Sequence, residues 1–383
     1  MATEKINISK ISPVLMAFFV MSFCDLVGIS VDRIKPVFHL SDAKAQLITS
    51  VVFVWFFLLS VPIGIIQSKI GKRNMLNIGI GVTALGLFVP FFFNSFGIML
   101  SGFALIGIGN TIVQGSANPL LIDVVPGTRA SSFLSFSQFV KAIGSMIAAP
   151  LAGILAALFG NWKIMLVVFG IVSILTVLWL SAIKIDETRQ EGPKVTFKSS
   201  FGLLGIKFVL LMVLAIFLVV GIDVGFNSNS GQFLMKQFGI DQIAAENGRT
   251  VYYLGRILGT FAGAIMLAKF SSRKFFGWTS FLGVICLVAI LLVRSSVLAW
   301  GLVFLIGLAV ANIWPLIFSL VIEKYPSKRF EISGLVMMAI SGGAVIPLMV
   351  GWISDLSSIA LGMTLLLACM IYLWAISIYC LKK

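Results

Sequence analysis

The sequence predicts an all-α membrane protein of twelve transmembrane helices in two pseudo-symmetric six-helix bundles. Of 383 residues, 59% are hydrophobic and 11% charged, more apolar than an ordinary soluble domain. Twelve apolar runs are long enough to cross a hydrocarbon core of about 30 Å. The two halves also repeat each other: Lys69 and Arg73 recur as Lys269 and Arg273, and Pro126 and Arg129 as Pro326 and Arg329, all at one offset.

Taken in order, apolar runs bounded by charge or by Gly, Pro and Asn place helices at 11–34, 44–68, 74–94, 97–121, 131–157 and 161–183. A second set follows at 206–230, 247–270, 275–294, 297–322, 331–353 and 359–380. Between the sets lies the longest polar stretch, rich in Lys, Glu, Arg and Ser. It marks residues 184–206 as a cytoplasmic linker between an N-terminal bundle, 1–183, and a C-terminal bundle, 207–383.

The net charge of +14 follows the loops. One side collects Lys5, Lys10, Lys69, Lys72, Arg73, Arg129, the linker residues, Lys269, Arg273 and Lys382 among others, and the other holds only Arg33, Lys35, Lys44, Lys163, Lys236, Arg249 and Arg294. By the positive-inside rule both termini are cytoplasmic, and the basic residues report topology instead of a nucleic-acid partner. Cys24, Cys286, Cys369 and Cys380 lie in apolar runs without CxxC spacing, so neither a disulfide framework nor a metal site is expected. The first run carries Asp25 and Asp32 without a small-residue cleavage site, and it reads as a retained span.

Polar residues recur at helical spacing. Ser22, Asp25 and Asp32 align in the first span, Asn110, Gln114 and Asn118 in the fourth, and Ser135, Gln138, Lys141 and Ser145 in the fifth. Asp223, Asn227 and Ser230 align in the seventh, and Asn312 and Ser319 flank Trp314 and Pro315 in the tenth. These faces either line one cavity or glue helices together. As a cavity they supply paired donors and acceptors, and Trp55, Phe53 or Trp314 a flat apolar surface. An ionisable group inside a membrane costs about 3 kcal/mol on insertion scales and usually marks a substrate or ion path. Burial disfavours the charge of Asp32 and a neighbouring cation favours it, so moving the neighbour switches its protonation. Lys141 is the expected neighbour. The competing readings are a permanent ion pair, or solvation beside Arg33 and Lys35.

The segment Gly64 to Arg73, GIIQSKIGKR, resembles the cytoplasmic signature of the major facilitator superfamily, with Ser68 where the common pattern has Asp. With VDRIKPVF at Val31, SANPLL at Ser116, LGRILGT at Leu254, NIWPLIFSL at Asn312 and GGAVIPLMVGWISD at Gly342, the chain resembles the fucose/glucose/galactose:proton symporter family. The resemblance implies two parallel six-helix repeats with a binding site where they meet near the midplane. It implies sugar import across the bacterial inner membrane by proton symport with alternating access, in a protein expected to be monomeric. Asp32 matches the family's proton-linked aspartate. Gln114 stands where the family has an acid, Gln138 and Lys141 where it has amides, and Arg256 at its eighth-helix arginine. Substrate contacts are expected from Gln114, Asn118, Gln138, Lys141, Asp223, Asn227, Asn312, Trp314 and Arg256. Asp32 and Lys141 are expected to couple the proton. Gly64, Lys69, Gly71, Arg73, Arg129, Lys269 and Arg273 are expected at cytoplasmic gates, the alternative being solvated anchors.

Gln114 cannot titrate, so a sodium-coupled or uncoupled carrier stands as an alternative, and Lys141 with Arg256 suits an acidic sugar. A membrane sugar sensor is the reading from another class. An enzyme is not expected: His39 is the only histidine and lies in an outer loop. No phosphate-binding loop, dinucleotide fingerprint or metal spacing occurs, and no cofactor is implied.

Overall fold

The computed structural model describes residues 8–125, 130–185, 187, 197–267 and 270–381. Among them there is no strand, and twelve helices are long and apolar enough to cross a membrane. They are Ile8–Val37, Asp42–Ile70, Lys72–Phe92, Phe96–Val124, Phe136–Phe159, Ile164–Ala182, Lys207–Phe238, Gln242–Leu267, Ser272–Leu292, Ser296–Lys324, Glu331–Leu356 and Ile359–Leu381.

Each expected span has its helix, and two boundaries move for one reason. The seventh helix runs on from the expected end at 230 to Phe238. The eighth starts at Gln242 instead of 247. Both added segments carry polar residues that read as loop, yet Gln232 and Glu246 are buried. Gln232 and Glu246 find partners inside the bundle, so polarity did not mark an exit to water. The seventh helix stops instead at Gly239, whose φ of 64° lies in the left-handed region open to glycine.

Three spans are interrupted. In the first, a 3₁₀ turn, Ser22–Leu26, separates Ile8–Met21 from Val27–Val37. In the tenth, Ala311 and Asn312 separate Ser296–Val310 from Ile313–Lys324. In the eleventh, Ile340 and Ser341 separate Arg329–Ala339 from Gly342–Leu356. Such breaks free backbone groups that must find partners away from water.

The chain forms two compact units, Met1–Leu26 with Leu58–Lys194 and Val27–Phe57 with Val195–Lys383. In the first unit the third and fourth spans lie close enough that a Cβ on Gly109 would reach 2.5 Å from the carbonyl oxygen of Gly79. These glycines serve packing, whereas Gly81 faces open space. Phe23 stacks on Phe169 at 4.4 Å between ring centres, tying the interrupted first span to the sixth. In the second unit the hairpin Val27–Phe57 packs with the seventh, eighth and eleventh spans. Its second helix is fixed there by Ser50 Oγ donating to the carbonyl of Ala344 (2.6 Å) and by Phe53 lying against Gly343.

Candidate functional site

Within the second unit the segment after the 3₁₀ turn carries two adjacent residues of opposite charge, Asp32 and Arg33. Opposite them the eighth helix carries two residues one turn apart, Glu246 and Arg249, which helical spacing sets on one face. The pairs cross. Arg249 Nη2 lies 2.7 Å from Asp32 Oδ2, and Arg33 Nε lies 2.6 Å from Glu246 Oε1. Asp32 and Glu246 are each 1% exposed and Arg249 is 3% exposed. Gln232 Nε2 donates to Asp32 Oδ1 at 2.9 Å. Arg249 also donates from Nε to the carbonyl of Asn227 (2.8 Å) and from Nη2 to that of Gly28 (3.0 Å). One guanidinium thus serves a carboxylate and two backbone groups, which a lysine ammonium cannot match in geometry.

The close fit depends on Gly231. A Cβ there would run into the Asp32 carboxylate and stand 3.0 Å from Arg249 Nη2. Ser30 Oγ, Ser230 Oγ and Arg249 Nη1 are buried without a protein hydrogen-bond partner among the described residues. Each such group costs about 1–3 kcal/mol.

Further charges extend the network. Lys35 Nζ pairs with Asp42 and donates to Gln232 Oε1 at 3.2 Å, and Lys236 Nζ lies 3.0 Å from Asp42 Oδ2. The Asp355 carboxylate accepts the backbone N–H groups of Asp42 (2.6 Å) and Ala43 (2.8 Å), capping the start of the second span. Gln46 Nε2 donates to Asn229 Oδ1 at 3.0 Å. The hairpin is thus joined to the seventh, eighth and eleventh spans by several charge-assisted contacts.

The cation beside Asp32 within this unit is Arg249, where Lys141 was the expected neighbour. Lys141, half-buried, belongs to the other compact unit. Asp223 accepts from Tyr252 Oη at 2.6 Å and from Arg256 Nη1 at 2.5 Å, and the guanidinium also lies 5.9 Å above the Tyr253 ring. About a quarter of each charged side chain in that pair stays exposed, so both present polar edges. Asn227 is buried, with its carbonyl engaged by Arg249. Asn312 is also buried and donates to the carbonyl of Gly259 at 2.7 Å, which makes it a bond between the tenth and eighth spans at the break in the tenth. Trp314, half-buried, stacks on Phe318 with ring centres 5.4 Å apart.

In the first unit the fourth-span stripe forms a ladder. Asn118 Nδ2 donates to the carbonyl of Gln114 (3.3 Å), Gln114 Nε2 to Asn110 Oδ1 (3.0 Å), and Asn110 Nδ2 to the carbonyl of Met21 (2.8 Å). Asn110 thereby serves a backbone group at the first-span break. Ser145 Oγ donates to Asp25 Oδ2 at 2.6 Å. Gln138 is exposed.

Around the signature loop, Lys72 Nζ pairs with Asp123 Oδ2 at 2.6 Å. Glu187 accepts the N–H groups of Lys72 and Arg73 (2.5 and 3.0 Å), and Arg73 donates to the carbonyls of Leu180 and Ser181 at the end of the sixth span. Gly71 takes φ 91°. Gly64, Lys69 and Arg273 are exposed. Arg129 and Lys269 lie outside the described residues.

Sequence reasoning missed Glu246, Arg249, Gln232 and the Asp42–Asp355 cap, having counted Arg249 and Lys35 only as outer charges. The signal present was the Asp32-Arg33 doublet and the Glu246/Arg249 spacing, each with the acid before the base.

A family profile described as Major Facilitator Superfamily matches residues 14–347. The glucose/galactose transporter of Brucella abortus is 24% identical over 378 residues, covering 94% of this chain and 90% of the relative. The L-fucose-proton symporter of Escherichia coli is 22% identical over 370 residues, covering 86% and 83%. A crystal structure of the Escherichia coli fucose:proton symporter superposes with a TM-score of 0.70 at 19% identity, over 98% of this chain and 99% of that one. At that identity the superposition speaks for the fold.

Proposed function

The chain belongs to the Major Facilitator Superfamily, and from that premise we propose that it imports a monosaccharide of the fucose, glucose or galactose type by proton symport with alternating access. The observation that carries the reading is the Asp32 carboxylate, buried against Arg249 on a hairpin that charge contacts fasten to the seventh, eighth and eleventh spans. The names of the relatives support the sugar class.

Asp32 alternates between pairing with Arg249 and holding a proton. Ionised, it keeps the guanidinium and the hairpin in place. Protonated by a proton from outside, it no longer attracts Arg249, and one tie between the hairpin and the eighth helix is lost. Release of the proton inside restores the pair. Gln114, Asn118, Gln138, Asp223, Asn227, Arg256 and Trp314 contribute the sugar contacts. The basic loops with Gly64, Lys69, Gly71, Arg73, Arg129, Lys269 and Arg273 act at the cytoplasmic side. The bundles 1–183 and 207–383 rock about the linker in a monomer, in a bacterial inner membrane with both termini cytoplasmic.

Uptake of labelled fucose, glucose and galactose in a strain lacking its own carriers for them tests the reading. Accumulation of one sugar above the outside concentration, abolished by a protonophore, is expected. A second reading rests on Gln114, which removes one titratable site: uniport or sodium symport then gives protonophore-resistant uptake. For an acidic sugar, held by Lys141 and Arg256, a uronic acid competes and the neutral sugars do not.

A further inference from the structure

Gln114 cannot take a proton, yet the structure holds a second carboxylate buried as deeply as Asp32. Among the described residues the acids at 1% exposure are Asp32 and Glu246. Asp42, at 7%, is shared by two lysines, and Glu331, at 9%, lies 3.7 Å from Lys328. Glu246 receives Arg33 on both oxygens, Nε to Oε1 at 2.6 Å and Nη2 to Oε2 at 2.7 Å, with Gln242 Nε2 on Oε1 at 3.0 Å.

The charged groups around Glu246 are Arg33 and Asp32 from the first span and Arg249 from its own helix. Lys236 of the seventh span is held by Asp42. The tenth span, packed on the eighth, has no ionisable side chain from Ser296 until Glu323.

Ionised throughout, Asp32, Arg33, Glu246 and Arg249 sum to zero charge and satisfy one another in a medium where an unpaired charge is costly. Protonation of Asp32 breaks its ion pair with Arg249 but leaves the adjacent Arg33 fastened to Glu246 by an ion pair and a hydrogen bond. The hairpin is then still held. Protonation of both carboxylates leaves two buried guanidinium charges uncompensated, and hydration of those charges draws the hairpin off the eighth helix.

We propose that Glu246 is a second proton-exchanging carboxylate of the transport cycle, located on the eighth helix, whose charge controls Arg33 as that of Asp32 controls Arg249. Each cycle takes one proton onto Glu246 from the outside water and returns it to the inside water, with no other bond changed. The proposal rests on the proton-symport reading.

The test measures the proton-to-sugar ratio in proteoliposomes for the wild type and for the double variant Arg33→Gln with Glu246→Gln, which removes the pair without leaving a lone buried charge. The ratio is expected to fall by one proton per sugar. A wild type that couples and a double variant with the same ratio would overturn the Glu246 assignment alone. A wild type that moves sugar with no protons would overturn the symport reading and this proposal together. Because the double variant can fail to assemble, infrared difference spectra of wild-type protein between acid and alkaline buffer supply an independent arm. A protonated-carboxyl band that shifts on ¹³C-glutamate labelling and is missing in Glu246→Gln is expected. Absence of that band contradicts the assignment.

Discussion

Asp32 and Arg249 meet at 2.7 Å with their side chains 0% and 4% exposed, one from the hairpin after the first-span break and the other from the first turns of the eighth helix. Truncating one partner of a buried ion pair leaves the other uncompensated and typically costs about 3–5 kcal/mol, whereas neutralising both is often close to neutral. Arg249→Gln is therefore expected to lower the unfolding midpoint of the detergent-solubilised protein more than Asp32→Asn with Arg249→Gln together. Equal losses would contradict the pairing.

Gly231→Ala places a methyl group against the Asp32 carboxylate and beside Arg249. Uptake is expected to fall at least tenfold at unchanged membrane abundance. Gly81→Ala, whose Cβ meets nothing within 4 Å, is expected to leave uptake within twofold. Transport assays normalised to immunoblot intensity compare them.

Asn312 is bonded to the backbone of the eighth span, and interhelical bonds of this kind average about 0.6 kcal/mol in membranes. Asn312→Ala is expected to lower the unfolding midpoint by only about 1 °C and to leave the sugar KM within about twofold. A tenfold rise in KM at full stability would place Asn312 at the sugar instead.

Glu187 caps the third span through the N–H groups of Lys72 and Arg73. Loss of a helix cap costs about 1 kcal/mol. Glu187→Ala is expected to reduce thermal stability by that order, read by unfolding of the purified protein, without altering the proton-to-sugar ratio.

Much of the fold was legible because a bilayer imposes length and apolarity on every span, and twelve runs met both demands. The fourth-span stripe was legible too, since helical spacing was enough. The partner of Asp32 was not. Arg249 lies where apolar periodicity weakens, and counting charges by side treats every outer arginine as solvated. Gln232 and Glu246 misled for the same reason: polarity ends a span only where the side chains reach water, and here they meet Asp32 and Arg33. Asn312 shows the converse, a polar residue in a promising position that is engaged by backbone.

The most direct test of the account is sugar-induced proton movement in liposomes containing the purified protein, with Asp32→Asn alongside. The account predicts alkalinisation of the outer medium that depends on one neutral sugar and is absent in the variant, while exchange of labelled for unlabelled sugar continues. Sugar flux with no proton movement in the wild type, or proton movement that persists without the Asp32 carboxylate, would contradict it.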